Sequence, residues 1–202
     1  MKIHECQQGS LEWNAIKCGK VSASHFADAT AGGKGITRNN LMIKLIAERM
    51  TGETQESYSN KTMDRGLEME SEAREYYEAL NGVSVRQVGF IERSEDVGGS
   101  PDGLVGEDGM LEIKCPFPST HIGYILAGKM PATYVKQVQG NMWVAERKWC
   151  DFISYDPRVH QRPYFCRRVY RDEGCIKELN IGITMFITDM QEMMDKLTKS
   201  PF

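Results

Sequence analysis

Ser100-Pro101-Asp102-Gly103-Leu104-Val105-Gly106-Glu107-Asp108-Gly109-Met110-Leu111-Glu112-Ile113-Lys114-Cys115 is the stretch on which the fold turns. Pro-Asp-Gly marks a tight turn and Glu107-Asp108-Gly109 a second. The runs around Val97–Val105 and Met110–Cys115 are short and β-prone, so the segment reads as strands joined by a hairpin. Side chains alternate along a strand with period two, so Leu111, Ile113 and Cys115 share one face while Glu112 and Lys114 share the other. Two opposite charges thus project from one face of a central strand, and the hairpin can bring Asp102 beside Glu112.

Working outward, the spacing of Leu41, Leu45, Ile46 and Met50 predicts a helix over Asn39–Met50 that stops at Gly52. A second helix is predicted from Met63 to Asn81, stopping at Gly82, with an apolar stripe of Met63, Leu67, Ala73, Tyr77 and Leu80. Glu70 falls on that stripe, where a carboxylate needs a partner. The first forty residues read as turn-rich and end in a mobile glycine loop, Gly32-Gly33-Lys34-Gly35. A strand run at Val83–Ile91 precedes the hairpin. After it come helices at Ser119–Ala127 and Ala132–Arg147, strands at Trp149–Tyr155 and Pro163–Tyr170, and a Met-rich amphipathic helix over Glu173–Lys199 interrupted at Gly182. This order predicts an α/β fold, a mixed central sheet flanked by helices, within one domain spanning 1–202.

The 202 residues are 41% hydrophobic and 26% charged, with a mean hydropathy of -0.46, which excludes disorder as the main state. The longest stretch free of Asp, Glu, Lys and Arg, Cys115 to Gly128, carries two prolines, so no membrane span is expected. The polar N-terminus does not read as a secretory signal, and a cytoplasmic location is the expectation. Six cysteines without a Cys-x-x-Cys pair argue against a zinc ribbon or a disulfide framework. No G-x-G-x-x-G follows a strand, and neither a phosphate-loop lysine motif nor a G-x-S-x-G elbow occurs.

The net charge of -3 hides a split, because residues 64–112 carry -9 and the remainder +6, with arginines 158, 162, 167, 168 and 171 crowded into one segment. A charge run is ordinarily a solvated face. An acidic centre flanked by basic surface is also the pattern of a site that gathers cations beside a polyanion.

Mg²⁺ takes carboxylate, carbonyl and water oxygens in octahedral geometry, and Asp102, Glu112 and the Ile113 carbonyl can supply part of that shell. Lys114, on the strand face of Glu112, would then orient a nucleophile or stabilise charge during attack on a phosphodiester. Glu70 can join as a third carboxylate from the preceding helix. The alternative is that Arg74 caps Glu70 and that Glu112 simply pairs with Lys114.

At these residues the sequence resembles a known family, the phage lambda exonuclease type of alkaline exonuclease, or YqaJ viral recombinases, within the PD-(D/E)XK nuclease superfamily. The resemblance runs from about Leu11 to Asp172 through ordered motifs. They are Glu12-Trp13, Lys17-Cys18-Gly19-Lys20-Val21-Ser22-Ala23-Ser24, Gly66-Leu67-Glu68-Met69-Glu70-Ser71-Glu72-Ala73-Arg74, Ser100-Pro101-Asp102-Gly103-Leu104, Leu111-Glu112-Ile113-Lys114-Cys115-Pro116-Phe117, Gln137-Val138-Gln139 with Met142-Trp143-Val144, and Tyr155-Asp156-Pro157-Arg158. The resemblance implies a PD-(D/E)XK restriction-endonuclease-like core. It also implies a Mg²⁺-dependent 5′-to-3′ exonuclease, with Mn²⁺ as a substitute, that degrades one strand of duplex DNA to 5′-mononucleotides and leaves a 3′ single-stranded tail for recombination.

By the same resemblance Asp102 and Glu112 match metal ligands, Lys114 the catalytic lysine and Glu70 the helix carboxylate. Lys17, Ser22 and Ser24 match the pocket for the terminal 5′-phosphate, although the family pattern has arginine at the first position and threonine at the second. Lysine lacks the bidentate fork of arginine. Met63 matches an apolar wedge at the duplex entrance, and Ser100, Tyr134 and Gln137 match DNA-contacting polar groups. A ring-shaped homotrimer and a single-strand annealing partner are further implications. On the bland reading Trp13 and Trp143 are core, and Ser22 and Ser24 cap a helix starting near His25. Cys150, Cys166 and Cys175 are too widely spaced for the cysteine trio that holds an iron–sulfur cluster in relatives of this nuclease core. The rival functions are an endonuclease on duplex or branched DNA and a DNA-end-binding module without catalysis.

Overall fold

The computed structural model describes residues 1–32, 35–55 and 61–199, without the side chains of 61–68. In chain order the described elements are β1 (Lys2–His4), α1 (Leu11–Lys17), β2 (Val21–Ser22), α2 (Phe26–Ala29), α3 (Ile36–Thr51), α4 (Lys61–Asn81), β3 (Val85–Arg86), β4 (Phe90–Glu92), β5 (Val97–Gly99), β6 (Gly103–Val105) and β7 (Gly109–Lys114). They continue with α5 (Pro118–Ala127), α6 (Val135–Ala145), β8 (Trp149–Tyr155), β9 (Tyr164–Tyr170) and α7 (Glu173–Lys199).

The fold class is α/β as expected, but the strands divide between two mixed sheets, β1-β4-β5-β2 and β3-β6-β7-β8-β9. Each of the two long runs read from the sequence contributes a strand to both sheets. The run 83–91 breaks at Gly89, whose N–H donates to the His4 carbonyl and whose Cα lies so close to the Cys6 backbone that a Cβ would sit 2.2 Å from its carbonyl oxygen. The run 97–105 breaks at Ser100-Pro101-Asp102, where proline has no N–H to continue a ladder. This second break carries the chain from β5 to β6 and holds Asp102 at the junction.

Strand β7 pairs with β6 antiparallel and with β8 parallel, so it lies inside its sheet. Leu111 and Ile113 pack with Met69, Ala73 and Tyr77 of α4 on one face. Met110 packs with Val138 and Met142 of α6 on the other. The period-two reading of Met110–Cys115 is thus realised over the strand Gly109–Lys114, one residue earlier at each end, with α4 and α6 covering opposite faces.

The helices follow their apolar spacing with exceptions at their ends. Helix α3 stops at Gly52 (φ 73°) and α4 at Gly82 (φ 61°), left-handed positions that suit glycine. Met50 and Leu80, read as core-facing, are exposed in the last turns of α3 and α4, beyond the stretches that pack on α2 and α7 and on β7 and β8 respectively. Met63 and Leu67 fall outside the described side chains, as do Gly33 and Lys34 of the glycine loop outside the described residues. The first forty residues, read as turn-rich, hold α1, α2, two strands and the start of α3. Ser10 Oγ accepts the Trp13 N–H at 3.2 Å and starts α1. Ser22 and Ser24 do not cap α2.

Helix α7 is continuous through Gly182, contrary to the expected interruption. Burial of Ile176, Leu179, Ile183, Phe186 and Met190 outweighs the ~1 kcal/mol cost of an internal glycine. The bare Cα admits Thr30, whose Cγ2 would lie 2.8 Å from an added Cβ. Among the described residues no helix is long and apolar enough to cross a membrane.

Candidate active site

Asp102 is fastened to the strand opposite it. Its N–H donates to the Leu111 carbonyl at 3.2 Å, and its Oδ2 accepts the Ile113 N–H at 2.5 Å. Glu112, 1% exposed, is held from two sides. Its Oε1 accepts from Gln137 Nε2 at 2.5 Å and pairs with Lys114 Nζ at 2.6 Å, and its Oε2 accepts from Asn141 Nδ2 at 3.3 Å. Gln137 and Asn141 are one helical turn apart on α6, so both amides face the same carboxylate.

Glu70 arrives from α4 and pairs with Arg74 at 2.8 Å, one turn away. Arg74 Nε also donates to the Asp102 carbonyl at 3.3 Å, tying helix to hairpin. Both ion pairs of the bland reading therefore form. They do not disperse the carboxylates. Burial first, and then Glu112 and Glu70, push the Asp102 carboxyl well above its ordinary range against the opposing pull of Lys114 and the Ile113 N–H. Glu70 is raised by burial, with Arg74 and Lys114 pulling it down and Glu112 pushing it up. Burial works against the charge on Lys114, but Glu112 and Asp102 outweigh it and hold the ammonium above the usual lysine value. Three carboxyl groups sharing one buried region is a costly arrangement that a cation relieves.

Lys114 Nζ also lies 5.2 Å from the Tyr134 ring centroid, and Tyr134 stacks on Phe152. A cleft of about 540 Å³ reaches Glu70, Arg74 and Asp102 between Cys6, Gln8 and Val88. Gln8 Nε2 donates to the carbonyls of Val88 and Pro101, bracing the turn before Asp102.

The second predicted cluster forms around the α1–β2 turn. Lys17 Nζ lies 4.3 Å over the Trp13 ring, and Trp13 Nε1 donates to Ser100 Oγ at 3.0 Å and to the Gly89 carbonyl at 3.0 Å. Trp13 is thus half-buried and hydrogen-bonded, whereas Trp143 is core. Ser22 Oγ meets Ser24 Oγ at 3.0 Å and His25 Nδ1 at 3.0 Å.

The structure brings together Asp102, Glu112, Lys114, Glu70, Gln137 and Tyr134, and separately Lys17, Ser22 and Ser24, with Ser100 reaching Trp13 between them. Met63 lies outside the described side chains. The sequence reading missed Asn141 and Gln8. The pair Gln137 and Asn141 at i, i+4 among apolar α6 residues was a usable signal, whereas nothing in the spacing marked Gln8.

The arginine cluster is largely spent inside the molecule. Arg158 binds the buried Asp156, Arg168 binds Asp151, Arg167 donates to the Gly128 carbonyl, and Arg171 donates to the Met142 carbonyl and pairs with Glu173.

Among the described residues no group of three or more Asp, Glu, His or Cys is clustered in ligating position. Asp102 and Glu112, as hard oxygen donors with the Ile113 backbone between them and Lys114, nonetheless fit a cation that completes its shell with water.

A family model described as the YqaJ-like viral recombinase domain matches residues 12–148. The structure of LHK-Exo in complex with dAMP is similar at 40% identity and a TM-score of 0.88, with 94% of this chain and 97% of that chain covered. An alkaline exonuclease (LHK-Exo) from Laribacter hongkongensis gives 40% identity, a TM-score of 0.87 and the same 94% and 97% coverage. A phage-related exonuclease from Haemophilus somnus 129PT shares the fold at 17% identity and a TM-score of 0.70, over 91% of this chain and 99% of that one. No curated protein sequence matches at a significant level. With most of its length matched by the family description and a 40% identical relative aligned over 94% of it, the chain belongs to the YqaJ-like viral recombinase domain family.

Proposed function

We propose that this chain is a Mg²⁺-dependent exonuclease that hydrolyses one strand of duplex DNA from its 5′ end, releases 5′-mononucleotides and leaves a 3′ single-stranded tail. The observation that carries this reading is the convergence of Asp102, Glu112 and Glu70 around Lys114, with Glu112 oriented by Gln137 and Asn141. The 40% identical relatives support it, since one is called an alkaline exonuclease and one is in complex with dAMP, a deoxynucleoside monophosphate.

Asp102 and Glu112, with the Ile113 carbonyl, are the groups that would hold the cation. A bound divalent cation supplies charge neutralisation and an acidified water. The chain's own residues do the rest. Lys114 Nζ, held charged by Glu112 and Asp102, donates to the attacking water or to the phosphoryl oxygens as negative charge grows there. Gln137 holds Glu112 in one rotamer and presents its amide at the scissile region. Arg74 keeps Glu70 and the Asp102 backbone in register.

Release of a 5′-mononucleotide requires water to add to phosphorus and the bond to O3′ to break, which leaves a new 5′-phosphate on the next nucleotide. Lys17, Ser22 and Ser24 would therefore meet a phosphate in every cycle. A homotrimer enclosing the duplex, a single-strand annealing partner and a cytoplasmic setting complete the reading.

The test is cleavage of linear duplexes with 5′-phosphate or 5′-hydroxyl ends, and of a covalently closed circle, in Mg²⁺ and in EDTA. Metal-dependent loss of linear DNA with the circle intact is expected. Cutting of the circle would establish the endonuclease reading, and end binding without cleavage the non-catalytic one.

A further inference from the structure

We propose that Lys44 and His25 complete a three-cation pocket with Lys17 for the terminal 5′-phosphate, and that His25 takes up a proton from solvent as the phosphate enters. The inference rests on the 5′-phosphate reading of Lys17, Ser22 and Ser24 and adds two residues from elements that the reading did not include.

The geometry begins with Glu48. It is buried on α3, accepts the Gly19 N–H at 2.9 Å and lies 3.8 Å from Lys44 Nζ. This clamps the α1–β2 turn against α3 and places Lys44 within Coulomb range of Lys17 and His25. The groups facing His25 are Lys17 from α1, Lys44 and Glu48 from α3, and Asp28 from α2. Burial first, then Lys17 and Lys44, hold the imidazole below its ordinary value, while Asp28 and Glu48 act weakly the other way. Lys17 is likewise pushed down by burial and then by Lys44. Lys17 and His25, both held down by burial and by neighbouring positive charge, are groups that an entering anion would relieve. A lone lysine lacks the bidentate fork that grips a phosphate, and Lys44 supplies a second charge.

The hydroxyls explain the proton. Ser22 Oγ, Ser24 Oγ and His25 Nδ1 lie within 3.0, 3.0 and 3.4 Å of one another. While Nδ1 accepts, one hydroxyl hydrogen goes to the imidazole and the other to its neighbour, so neither is free for a ligand. Once Nδ1 carries hydrogen it donates to a serine oxygen and a hydroxyl turns outward, and beside a phosphate dianion the charged imidazolium is favoured over the neutral Nδ1–H tautomer. A phosphate monoester dianion rewards this exchange, because it offers oxygen acceptors and offsets the third positive charge.

The experiment is calorimetric titration of the full chain with a duplex bearing a 5′-phosphate and with the same duplex bearing a 5′-hydroxyl. It is run in EDTA at about pH 8, where the phosphate is already a dianion, in buffers of different ionisation enthalpy. The expected result is extra proton uptake with the phosphorylated duplex alone, lost in His25→Asn. Lys44→Gln should lower the phosphate-to-hydroxyl affinity ratio about tenfold, the scale of one lost charged hydrogen bond. The ratio in the wild-type chain should fall as pH rises, and His25→Asn should flatten that slope. A wild-type preference for phosphate without extra uptake, or uptake that survives in His25→Asn, overturns the inference and leaves the Lys17 pocket standing. No preference in the wild-type chain overturns the pocket and this inference together, and no duplex binding at all overturns the nuclease reading as well.

Discussion

Trp13 and Ser100, eighty-seven residues apart, are joined by a 3.0 Å hydrogen bond from the indole Nε1 to the serine Oγ. The contact links the two candidate sites. Lys17 rests on the face of the same indole, and Ser100 stands two residues before Asp102. On the proposed function, a single rigid side chain would thereby set the spacing between the terminal phosphate and the bond to be cut. Trp13→Phe keeps an aromatic face but removes the N–H together with the five-membered ring, so unfolding stability should fall by at least about 1 kcal/mol in urea titration. The preference for 5′-phosphate ends should fall more than overall DNA affinity. An unchanged preference would separate the two sites.

Lys114→Ala removes the ammonium that Glu112 and Asp102 hold charged. Turnover should drop at least ~10²-fold, the usual cost of losing preorganised charge at a reacting phosphate. Duplex binding in a gel-shift assay should persist. Near-wild-type turnover would remove Lys114 from the chemistry.

The buried carboxylates give stability a pH dependence of known sign. The Asp102 pKa is raised in the native state by burial, Glu112 and Glu70, and Glu70 is raised in the same direction. The native state then binds more protons than the unfolded one, so this contribution is full below the ordinary aspartate value of 3.8 and is lost as pH rises through the raised native value. The metal-free protein should therefore become less stable upward from the ordinary carboxylate range. Asp102→Asn should be more stable than wild type at alkaline pH in EDTA while losing activity. Added Mg²⁺ should raise the Tm of wild type and not of the variant. Identical pH profiles for the two proteins would contradict the crowding of these groups.

Asn141 donates to Glu112 from a position 1% exposed, and its Oδ1 has no hydrogen-bond partner among the described residues. On the proposed function it would be a positioning residue, acting through Glu112. Asn141→Ala should raise the half-saturating Mg²⁺ concentration about tenfold, as for other outer partners of metal-ligating carboxylates. A change in Tm with unaltered metal dependence would assign it to packing alone.

Gly182→Ala tests the packing of α7. Helix propensity favours alanine by ~1 kcal/mol. The new Cβ would nevertheless lie 2.8 Å from Thr30 Cγ2, and Thr30 is held by bonds to the Phe26 carbonyl at 2.6 Å and from Lys136 at 2.8 Å. A net loss of about 1–3 kcal/mol is expected from overpacking, measured by urea unfolding. Stabilisation would mean that Thr30 moves aside freely.

Much of this protein was legible in one dimension because its signals are local. Period-two alternation placed Glu112 and Lys114 on one face of β7. Period-3.6 spacing put Glu70 on the buried stripe of α4, and Gly52 and Gly82 ended helices through their left-handed backbone. The division of strands between two sheets was not legible. It depends on the Cys6 backbone lying against Gly89, a contact between segments far apart in sequence, and on Asp102 being pinned across its hairpin to Ile113, a bond that strand alternation does not specify. The same holds for Asn141, whose partner Glu112 lies on β7, and for the bond from Arg74 to the Asp102 carbonyl. An amide or a guanidinium carries no mark of such a partner until packing brings the two within hydrogen-bond range. Patterning along the chain determined which residues face inward. Tertiary structure alone decided which of those inward-facing groups meet, because burial removes the water that would otherwise satisfy each one separately.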